Sequence, residues 1–345
     1  MSHLFPLKQP QNIIVRMPNW LGDLVMATPV LQDLKKHWPD ATITAMCQSN
    51  VALLLREDPN VDELFVFSRP SSWFKRNEHR KVTDQLKKGK YDLGILLTNS
   101  FSSAWMFWQG GVQNRLGFGG NCRGWMLNKP MKRLGKKEHL VITYKRLLEP
   151  MGVPLSSTAP KLHVAESALL DAQKLLGKYD VTEDAILVGV NPGAAYGSAK
   201  CWLPDRFRSV TQKLLENPRV HVLYFGDSVG KPLVDQICSA MPKRVINLAA
   251  LTSLQELIAL IKKCDIFLTN DSGPMHIGSA LGSPLVALFG STDAEKTGPY
   301  NGGVVVQKKV DCSPCFKRTC PIDFRCMTRI EVDDVYSELC KLLKP

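Results

Sequence analysis

The sequence predicts an α/β protein of two doubly wound domains, each built on a parallel sheet with helices on both faces, and with a central cleft between the domains. Short apolar runs alternate with amphipathic segments along the chain, and the same pattern starts again near residue 183. The 345 residues, 44% of them hydrophobic, are enough for two packed cores. Because such folds bind ligands at the carboxyl ends of their strands, functional residues should directly follow strands.

In the first half, the apolar runs at 12–16, 41–46, 64–67 and 93–97 predict strands. A helix should follow the first strand, because Leu24, Val25, Leu31 and Leu34 recur at near-helical spacing. We also predict a polar, basic helical segment at 82–90 and a connecting helix at 140–149.

In the second half, strands are predicted at 186–190, 220–225, 245–247, 266–269 and 285–288. Four helices are predicted in this half. One begins at Pro204, one spans 254–264, one follows segment 270–276 and runs through Leu281, and the last spans 332–343. The predicted organisation is an N-terminal domain at 1–155, a linker region at 156–182, a C-terminal domain at 183–330 and a last helix at 331–345 that packs back on the body.

Positive charge is concentrated in the first half of the chain. Residues 1–150 hold 22 Lys and Arg against 12 Asp and Glu, a formal charge of +10, whereas the remaining residues reach only +2. This asymmetry indicates an anionic membrane surface, a phosphorylated acceptor or nucleic acid as a partner, or else a merely solvated basic face. We expect no nucleic acid, since no nucleic-acid-binding module is recognisable and the basic residues are dispersed.

The sequence also predicts the cellular location. No apolar stretch approaches the ~20 residues of a spanning helix, and the first residues do not resemble a signal peptide. Ten cysteines without an export signal are typical of reduced thiols in the cytoplasm. We therefore expect a cytoplasmic protein.

The segment NDSGPMH at 270–276 follows an apolar strand and opens a helix. Unpaired N–H groups and the partial positive charge of a helix start favour a phosphate. Asp271, Ser272, Gly273 and His276 are therefore candidate ligand-binding residues. The alternative is a helix start that Asp271 or Ser272 simply caps.

A second loop of small residues, at 191–202, follows the strand at 186–190 in the same way. Asn191, Gly193 and Ser198 permit a close approach of a ligand, and Lys200 adds a cation that could neutralise a leaving diphosphate. A flexible surface loop is the alternative. Asp227 and Ser228, after a third strand, could contact a ribose.

In the N-terminal half, the segment PNWLGD at 18–23 places a carboxylate at the first strand-to-helix turn. If the cleft forms as predicted, Asp23 could remove the proton from an attacking hydroxyl. The alternative is an ordinary acidic residue in a first helical turn. Basic residues beside aromatics at 68–81, Arg69 among them, suit an anionic interface or a phosphorylated glycolipid, or form a solvated loop.

The densest cysteine cluster consists of Cys312, Cys315, Cys320 and Cys326. Four thiols could bind a structural zinc ion, although the spacings depart from the usual pair of CxxC knuckles. Reduced structural thiols are the preferred interpretation.

These motifs, in this order, resemble the glycosyltransferase family 9 heptosyltransferases from residue 13 to about residue 332. The markers are segment 17–23, the KCWLP sequence at 200–204, segment 270–276 and the FGST sequence at 289–292. The NWLGD sequence at 19–23 and the cysteine-rich stretch at 312–320 are more similar to the heptosyltransferase II branch than to the type I enzymes.

The resemblance implies a GT-B fold of two Rossmann-like domains and an inverting transfer of heptose from ADP-heptose onto the first heptose of a phosphorylated Kdo–lipid A core. It implies the donor in the C-terminal domain, the acceptor in the N-terminal one, Asp23 as general base and Lys200 on the donor diphosphate. Donor contacts would come from Asn191, Gly193, Ser198, Lys200, Asp227, Ser228, Asp271, Ser272, Gly273 and His276, and acceptor contacts from Asn19, Trp20, Arg69 and Arg115. The type I enzymes carry a ribose-binding glutamate near the position of Ser228, and none occurs here.

Three further expectations accompany this interpretation. No cofactor is required, although Mg²⁺ could bind the diphosphate without being catalytic. The protein should touch the anionic cytoplasmic face of the inner membrane peripherally. The alternatives are a heptosyltransferase I or another GT-B transferase with a different acceptor, a nucleotide-sugar epimerase or hydrolase, and a non-enzymatic binder.

Overall fold

A computed structural model describes residues 9–68, 76–132 and 138–343. The chain divides into two compact units, Met1–His163 (unit 1) and Val164–Pro345 (unit 2). The division falls inside the segment 156–182 that the sequence assigned to a linker.

Unit 1 contains one parallel six-stranded sheet in the order β3-β2-β1-β4-β5-β6. Its helices alternate with the strands along the chain. The elements are β1 (Asn12–Arg16), α1 (Leu21–His37), β2 (Thr42–Gln48), β3 (Glu63–Phe67), α2 (Arg76–Gly89), β4 (Leu93–Leu96), α3 (Phe101–Gln109), β5 (Asn114–Phe118), β6 (Lys129–Met131) and α4 (Leu140–Arg146).

Unit 2 contains a second parallel six-stranded sheet in the order β12-β11-β10-β7-β8-β9. Its elements are α5 (Glu166–Gly177), β7 (Ile186–Asn191), α6 (Pro204–Leu214), β8 (Val220–Tyr224), α7 (Lys231–Cys238), β9 (Val245–Asn247), α8 (Leu254–Lys263), β10 (Ile266–Asn270), α9 (Gly273–Leu281), β11 (Leu285–Phe289), α10 (Ala294–Thr297), β12 (Val304–Gln307), α11 (Arg325–Thr328) and α12 (Val332–Leu342).

The two sheets have the same strand order when each is counted from its own first strand. In both, the first and fourth strands are neighbours at the centre, so the chain changes direction across the sheet at that point. The central strands are buried on both faces, as for Ile13, Ile14 and Val15 in β1, which explains their continuous apolar sequences. Since ligands of doubly wound folds bind where the strand order reverses, the loops after β1, β4, β7 and β10 are the places to look for a site.

The predicted fold class is confirmed, and most predicted strands agree with observed ones to within two residues. The sequence analysis did not anticipate β5, β6, β12, α3, α5, α10 and α11. β5 reads NRLGF and β6 reads KPM, so neither strand has the apolar run by which the other strands were recognised.

Trp202 connects the loop after β7 to the core of unit 2. The side chain is 1% exposed, and its indole N–H donates to the Ile330 backbone carbonyl oxygen at 3.0 Å. The last helix, α12, packs against α6 and β11. Within the parts of the chain that are described, no helix is both long and apolar enough to cross a membrane.

Candidate active site

The predicted phosphate-binding loops of unit 2 lie together, because they follow three adjacent strands. β11, β10 and β7 are neighbours, and their carboxyl ends carry the loops at 290–293, 271–272 and 192–203. The fully buried Asn270 side chain, at the end of β10, holds both ends of the 192–203 loop: its amide accepts from the Trp202 N–H at 3.1 Å and donates to the Pro192 carbonyl oxygen at 2.6 Å. A buried amide with both partners satisfied fixes the loops rigidly.

Asn191 secures the same region from the end of β7. Its amide donates to the Gly193 carbonyl oxygen at 2.9 Å and to the Ser272 hydroxyl at 3.2 Å, and that hydroxyl lies 3.1 Å from the Thr269 hydroxyl. The predicted donor-binding residue Asn191 is therefore 6% exposed and engaged in positioning its neighbours. Gly193 has no atom within 4 Å of the place a Cβ would occupy, so its missing side chain leaves space beside the loop.

Lys200 and Asp271 form a largely buried ion pair at the centre of this site. The Lys200 ammonium lies 2.5 Å from the Asp271 carboxylate, and the two side chains are 13% and 4% exposed. The Thr292 hydroxyl donates to the same carboxylate oxygen at 2.5 Å. One predicted loop thus delivers a cation and the next a carboxylate to a single point.

The start of α9 has no side-chain cap from its N-cap residue. Ser272 is the N-cap residue but makes no side-chain cap, because its hydroxyl faces Asn191 and Thr269. Pro274 stands in the first turn and has no N–H. The simple helix-capping interpretation of this segment is therefore wrong for Ser272, and the first-turn N–H groups have no side-chain cap. His276 is 7% exposed and belongs to the buried face of α9.

A further set of residues that the sequence analysis missed supports Lys200. The Tyr196 ring lies 4.8 Å from the Lys200 ammonium and 5.4 Å from the Arg318 guanidinium carbon, and its hydroxyl donates to the Phe316 carbonyl oxygen at 2.6 Å. Gly197 has a φ of +153°, and a Cβ there would lie 2.3 Å from the Arg318 carbonyl oxygen. This contact requires glycine, and the run of small residues before Lys200 was its only sequence signal.

Ser198 begins the single 3₁₀ turn that ends at Lys200 and is exposed. After β8, Asp227 accepts from the Gly230 N–H at 2.7 Å, so one carboxylate oxygen closes the turn before α7. Ser228 beside it is exposed, and Val229 and Leu251 expose apolar side chains (85% and 60%) in the loops after β8 and β9. The Ala250 N–H donates to the Gly226 carbonyl oxygen at 2.8 Å and holds these two loops together.

In unit 1, Asp23 occupies the first turn of α1, directly after β1. The turn is held by Arg16, the last residue of β1, whose guanidinium donates to the Asn19 side chain at 2.5 Å and to the Met17 carbonyl oxygen. Arg16 is 2% exposed, and burial lowers its pKa to about 10, partly offset by Cys47. Asn19 is thus committed to this anchor, whereas Trp20 is 58% exposed.

Arg123 gives unit 1 a second buried anchor. The side chain is fully buried and donates to the Phe118 carbonyl oxygen at 2.9 Å, the Thr98 carbonyl oxygen at 2.5 Å and the Ser100 carbonyl oxygen at 3.3 Å. The loops after β4 and β5 are therefore joined by one cation. Neither Arg16 nor Arg123 was anticipated, because a buried, structural arginine has no sequence pattern of its own.

The acceptor role predicted for Arg115 is not supported by its placement. Arg115 is the second residue of β5, at the end of the strand opposite to the loops that follow it. Its guanidinium donates to the carbonyl oxygens of Met126 at 2.6 Å and Val112 at 2.5 Å, and burial lowers its pKa. The guanidinium is committed to backbone groups. Arg69, the other predicted acceptor arginine, lies outside the described residues.

The alternative of a zinc site at Cys312, Cys315, Cys320 and Cys326 is not supported. Within residues 9–68, 76–132 and 138–343, no group of three or more His, Cys, Asp or Glu is arranged so that it could hold a metal ion. Burial raises the pKa of the Cys326 thiol, and the neighbouring thiols of Cys312, Cys320 and Cys315 raise it further. The segment instead supports the site loops, since the Phe316 N–H donates to the Ser291 carbonyl oxygen at 2.8 Å.

Comparison with known proteins decides the family. The model of glycosyltransferase family 9 (heptosyltransferase) matches residues 79–324. The chain belongs to glycosyltransferase family 9. It is therefore a glycosyltransferase, and the resemblance stated from its motifs is confirmed.

Named relatives agree with this assignment. Lipooligosaccharide heptosyltransferase 2 of Haemophilus ducreyi is 30% identical over 312 residues, which are 87% of this chain and 89% of the relative. The solved structure of Escherichia coli ADP-heptose LPS heptosyltransferase II is 27% identical, with a TM-score of 0.82 over 96% of this chain and 98% of that one. A family 9 glycosyltransferase from Veillonella parvula is 25% identical, with a TM-score of 0.87 over 96% and 97% of the two chains. The two-sheet GT-B fold is the one shared with these proteins.

Proposed function

We propose that this glycosyltransferase moves L-glycero-D-manno-heptose from ADP-heptose onto the first heptose of a phosphorylated Kdo–lipid A core, with inversion at the anomeric carbon. The observation that carries the proposal is the Lys200–Asp271–Thr292 site beside the open start of α9, in a chain similar to heptosyltransferase 2 enzymes. A cation and uncapped helix N–H groups at one point are suited to a diphosphate.

Unit 2 would bind the donor. The diphosphate would take the Lys200 ammonium from Asp271 or share it, and would accept from the N–H groups at Gly273 and Met275. Asp271, which Thr292 holds in place, would then be free to accept from a heptose hydroxyl. Charge that develops on the leaving diphosphate meets a cation already in position, which is the condition for electrostatic stabilisation of the transition state.

The nucleoside would lie along the loops after β8 and β9. The exposed apolar side chains of Val229 and Leu251 offer a surface to a base, and the Ser228 hydroxyl is available to a ribose. Asp227 retains one carboxylate oxygen beyond the Gly230 bond for the same purpose. This arrangement would take the place of the glutamate that the type I enzymes use.

Unit 1 would supply the base and bind the acceptor. Asp23 would take the proton from the attacking hydroxyl of the acceptor heptose, on the side of the sugar opposite the diphosphate. Arg16 and Asn19 fix the turn that carries Asp23, and Trp20 exposes an indole on which a sugar ring can stack. The basic charge of this half of the chain suits a phosphorylated core and the anionic cytoplasmic face of the inner membrane.

No catalytic metal is part of this proposal. Lys200 and the α9 start supply the positive charge that a metal supplies in other transferases, and Mg²⁺ on the diphosphate would be an accessory. We expect EDTA to leave turnover within about twofold of the untreated value, since electrostatic stabilisation does not pass through a metal here. A loss that added Mg²⁺ restores would contradict this assignment.

The function is tested by incubating the purified protein with ADP-heptose and a core that carries a single heptose, and weighing the product by mass spectrometry. We expect the mass to increase by one heptose. A core with no heptose should gain none, which distinguishes this acceptor from that of a type I enzyme. Release of ADP at the same rate without any core would instead indicate a hydrolase or epimerase.

A further inference from the structure

Three tryptophans on the surface of unit 1 lie against one another. Trp105 and Trp108 stand one turn apart on α3, and Trp125 belongs to the 3₁₀ turn Gly124–Met126. Their ring centroids are 5.1 Å (Trp105 to Trp108), 5.5 Å (Trp108 to Trp125) and 6.4 Å (Trp105 to Trp125) apart. We call these three residues the tryptophan patch.

The patch is exposed although it is firmly built. Trp108 and Trp125 are 42% and 63% exposed, whereas Trp105 packs against the hydrophobic core of unit 1. Trp125 lies between the fully buried residues Arg123 and Met126, so the turn that carries it is anchored on both sides. A contiguous cluster of exposed indoles on a rigid support is uncommon on soluble surfaces and marks an interaction site.

The surroundings of the patch are basic. From residue 93 to residue 132, a stretch that includes α3 and the 3₁₀ turn, the sequence contains no Asp or Glu. Arg115 and Arg123 in this stretch are held by backbone carbonyl oxygens, and Lys129 and the exposed Lys132 are its other cations. Helix α2 packs on α3 and adds the exposed Lys87 and Lys88. Lys87 Cγ lies 4.0 Å from the place a Cβ would take on Gly111, just beyond the end of α3. Asp84, a carboxylate of α2, pairs with Arg80 at 3.7 Å.

We infer that the tryptophan patch, together with Lys87 and Lys88 of the adjoining helix α2, is the surface by which unit 1 binds an anionic lipid bilayer. Indoles partition to the boundary between lipid headgroups and acyl chains, and lysines next to them contact lipid phosphates. A second copy of the chain is a poorer occupant, because like charges would meet across such an interface.

This inference rests on the proposed function, which requires access to an acceptor anchored in a membrane. It assigns a role to elements other than the acceptor-binding turn, since the patch is built from α3 and Gly124–Met126 and not from the segment that carries Trp20 and Asp23. Lipid binding and heptose transfer are measured in separate assays.

The test compares cosedimentation of the full chain with vesicles of phosphatidylcholine alone and of phosphatidylcholine mixed with phosphatidylglycerol. We expect binding to the anionic vesicles only, with a blue shift of tryptophan fluorescence. The double substitution Trp108→Ser/Trp125→Ser should weaken that binding by about tenfold or more, because two interfacial indoles are lost. Leu170→Ser, at a 53% exposed apolar residue of unit 2, is the matched control and should bind as wild type does.

A charge variant tests the same surface without altering the tryptophans. Lys87→Glu/Lys88→Glu should reduce binding to anionic vesicles by about 30-fold or more, since each lysine near the surface contributes roughly 1 kcal/mol. Lys178→Glu/Lys243→Glu makes the same charge change at exposed positions of unit 2 and should have a smaller effect. Circular dichroism establishes that each variant is folded.

Transfer of heptose to a deacylated, water-soluble core separates this inference from the proposed function. Both patch variants should transfer to it within about twofold of wild type, because the patch holds no reacting group. The inference is overturned if wild-type protein does not bind anionic vesicles, or if the patch variants bind them as tightly as wild type. It is equally overturned if sedimentation shows a dimer that Trp108→Ser/Trp125→Ser abolishes. Absence of transfer by wild type with vesicle binding intact would overturn the proposed function alone.

Discussion

The carboxyl edges of the two sheets have the same place in the same topology but contrasting chemistry. In unit 2, neutral amides hold the loops together, and the cation Lys200 is left for a carboxylate and, as proposed, a diphosphate. In unit 1, the cations Arg16 and Arg123 are themselves the anchors, buried on backbone carbonyl oxygens. The strand order therefore determines where a site lies, and the charge state of the anchoring residues determines what it can bind.

This contrast supports the proposed use of one fold for two substrates. A loop fixed by uncharged asparagines keeps its positive groups available to an anion, so unit 2 suits a nucleotide sugar. A loop fixed by arginines has its positive charge already satisfied, so Asp23 and Trp20 are the groups it presents. Each prediction below alters one side of this comparison.

The largest effect is expected at Asp23. Asp23→Asn keeps the shape of the turn but removes the base, so turnover should fall by about 10²- to 10⁴-fold. Asp33→Asn is a poor control because Asp33 lies beside the buried Lys145, whereas the exposed Asp40→Asn should leave turnover unchanged. Steady-state kinetics of ADP release with the core acceptor measures both, and wild-type turnover in Asp23→Asn would show that the base is another group.

Lys200→Ala should lower kcat/KM for ADP-heptose by about 10²-fold, because the leaving diphosphate loses a positioned cation. The substitution also leaves the nearly buried Asp271 without its counter-ion, so the free energy of unfolding should fall by about 3 kcal/mol. Lys213→Ala breaks an exposed ion pair with Asp333 and is the control, with changes below about 1 kcal/mol. Steady-state kinetics and urea unfolding of the two variants measure these effects. An unaltered kcat/KM in Lys200→Ala would show that Lys200 does not act on the donor diphosphate.

Arg123→Met tests the anchoring role of the buried cation in unit 1. Three backbone carbonyl oxygens lose their donor, and we expect a loss of about 3 kcal/mol in the free energy of unfolding. Arg56→Met, at an exposed arginine of the same unit, should change it by less than about 0.5 kcal/mol. Equal stability of both variants in urea unfolding would show that Arg123 is dispensable as an anchor.

The smallest effects concern acid stability, with one carboxylate in each unit. Burial acts to raise the pKa of Asp62, but hydrogen bonds from the Ile43 N–H and the Lys35 ammonium outweigh it and hold that pKa below its usual range. A hydrogen bond from the Lys308 ammonium lowers the pKa of Asp334. Each carboxylate therefore stabilises the fold above the unfolded pKa of about 3.9, and this contribution is lost as the pH falls through the lower folded value.

Asp62→Asn and Asp334→Asn should each lower the free energy of unfolding by about 0.5 kcal/mol at pH 6, because both ion pairs are partly exposed. The difference from wild type should shrink towards pH 3. Urea unfolding at the two pH values measures it. A difference that is equally large at pH 3 would mean that the cost comes from packing and not from ionisation.

The sequence was sufficient to predict the architecture and the positions of the site loops, for reasons visible in particular elements. β1, β7 and β10 are buried on both faces, so their apolar runs stood out, and the motifs directly after them were found. The Lys200–Asp271 pair joins residues 71 positions apart in the sequence, and Thr292 joins them from a third loop. Only the adjacency of β7, β10 and β11 brings these together, and sequence patterns do not give strand order.

The acceptor side depends more on burial. Arg115 was an acceptor contact implied by the resemblance, but its position in β5, a strand that the sequence analysis missed, commits it to backbone carbonyl oxygens. Arg16 and Arg123 were not predicted as anchors, because buried arginines are rare and nothing adjacent in the sequence indicates their partners. The net charge of a region indicates the class of partner, whereas burial determines which of its cations can contact that partner.

The division of labour between the two units is tested most directly by ADP affinity, measured by isothermal titration calorimetry on the full-length Asp23→Asn and Lys200→Ala proteins side by side. We predict an affinity close to wild type for Asp23→Asn and at least about tenfold weaker binding for Lys200→Ala, because only the second loses a diphosphate contact. Weakened binding in Asp23→Asn together with normal binding in Lys200→Ala would contradict the assignment of donor binding to unit 2.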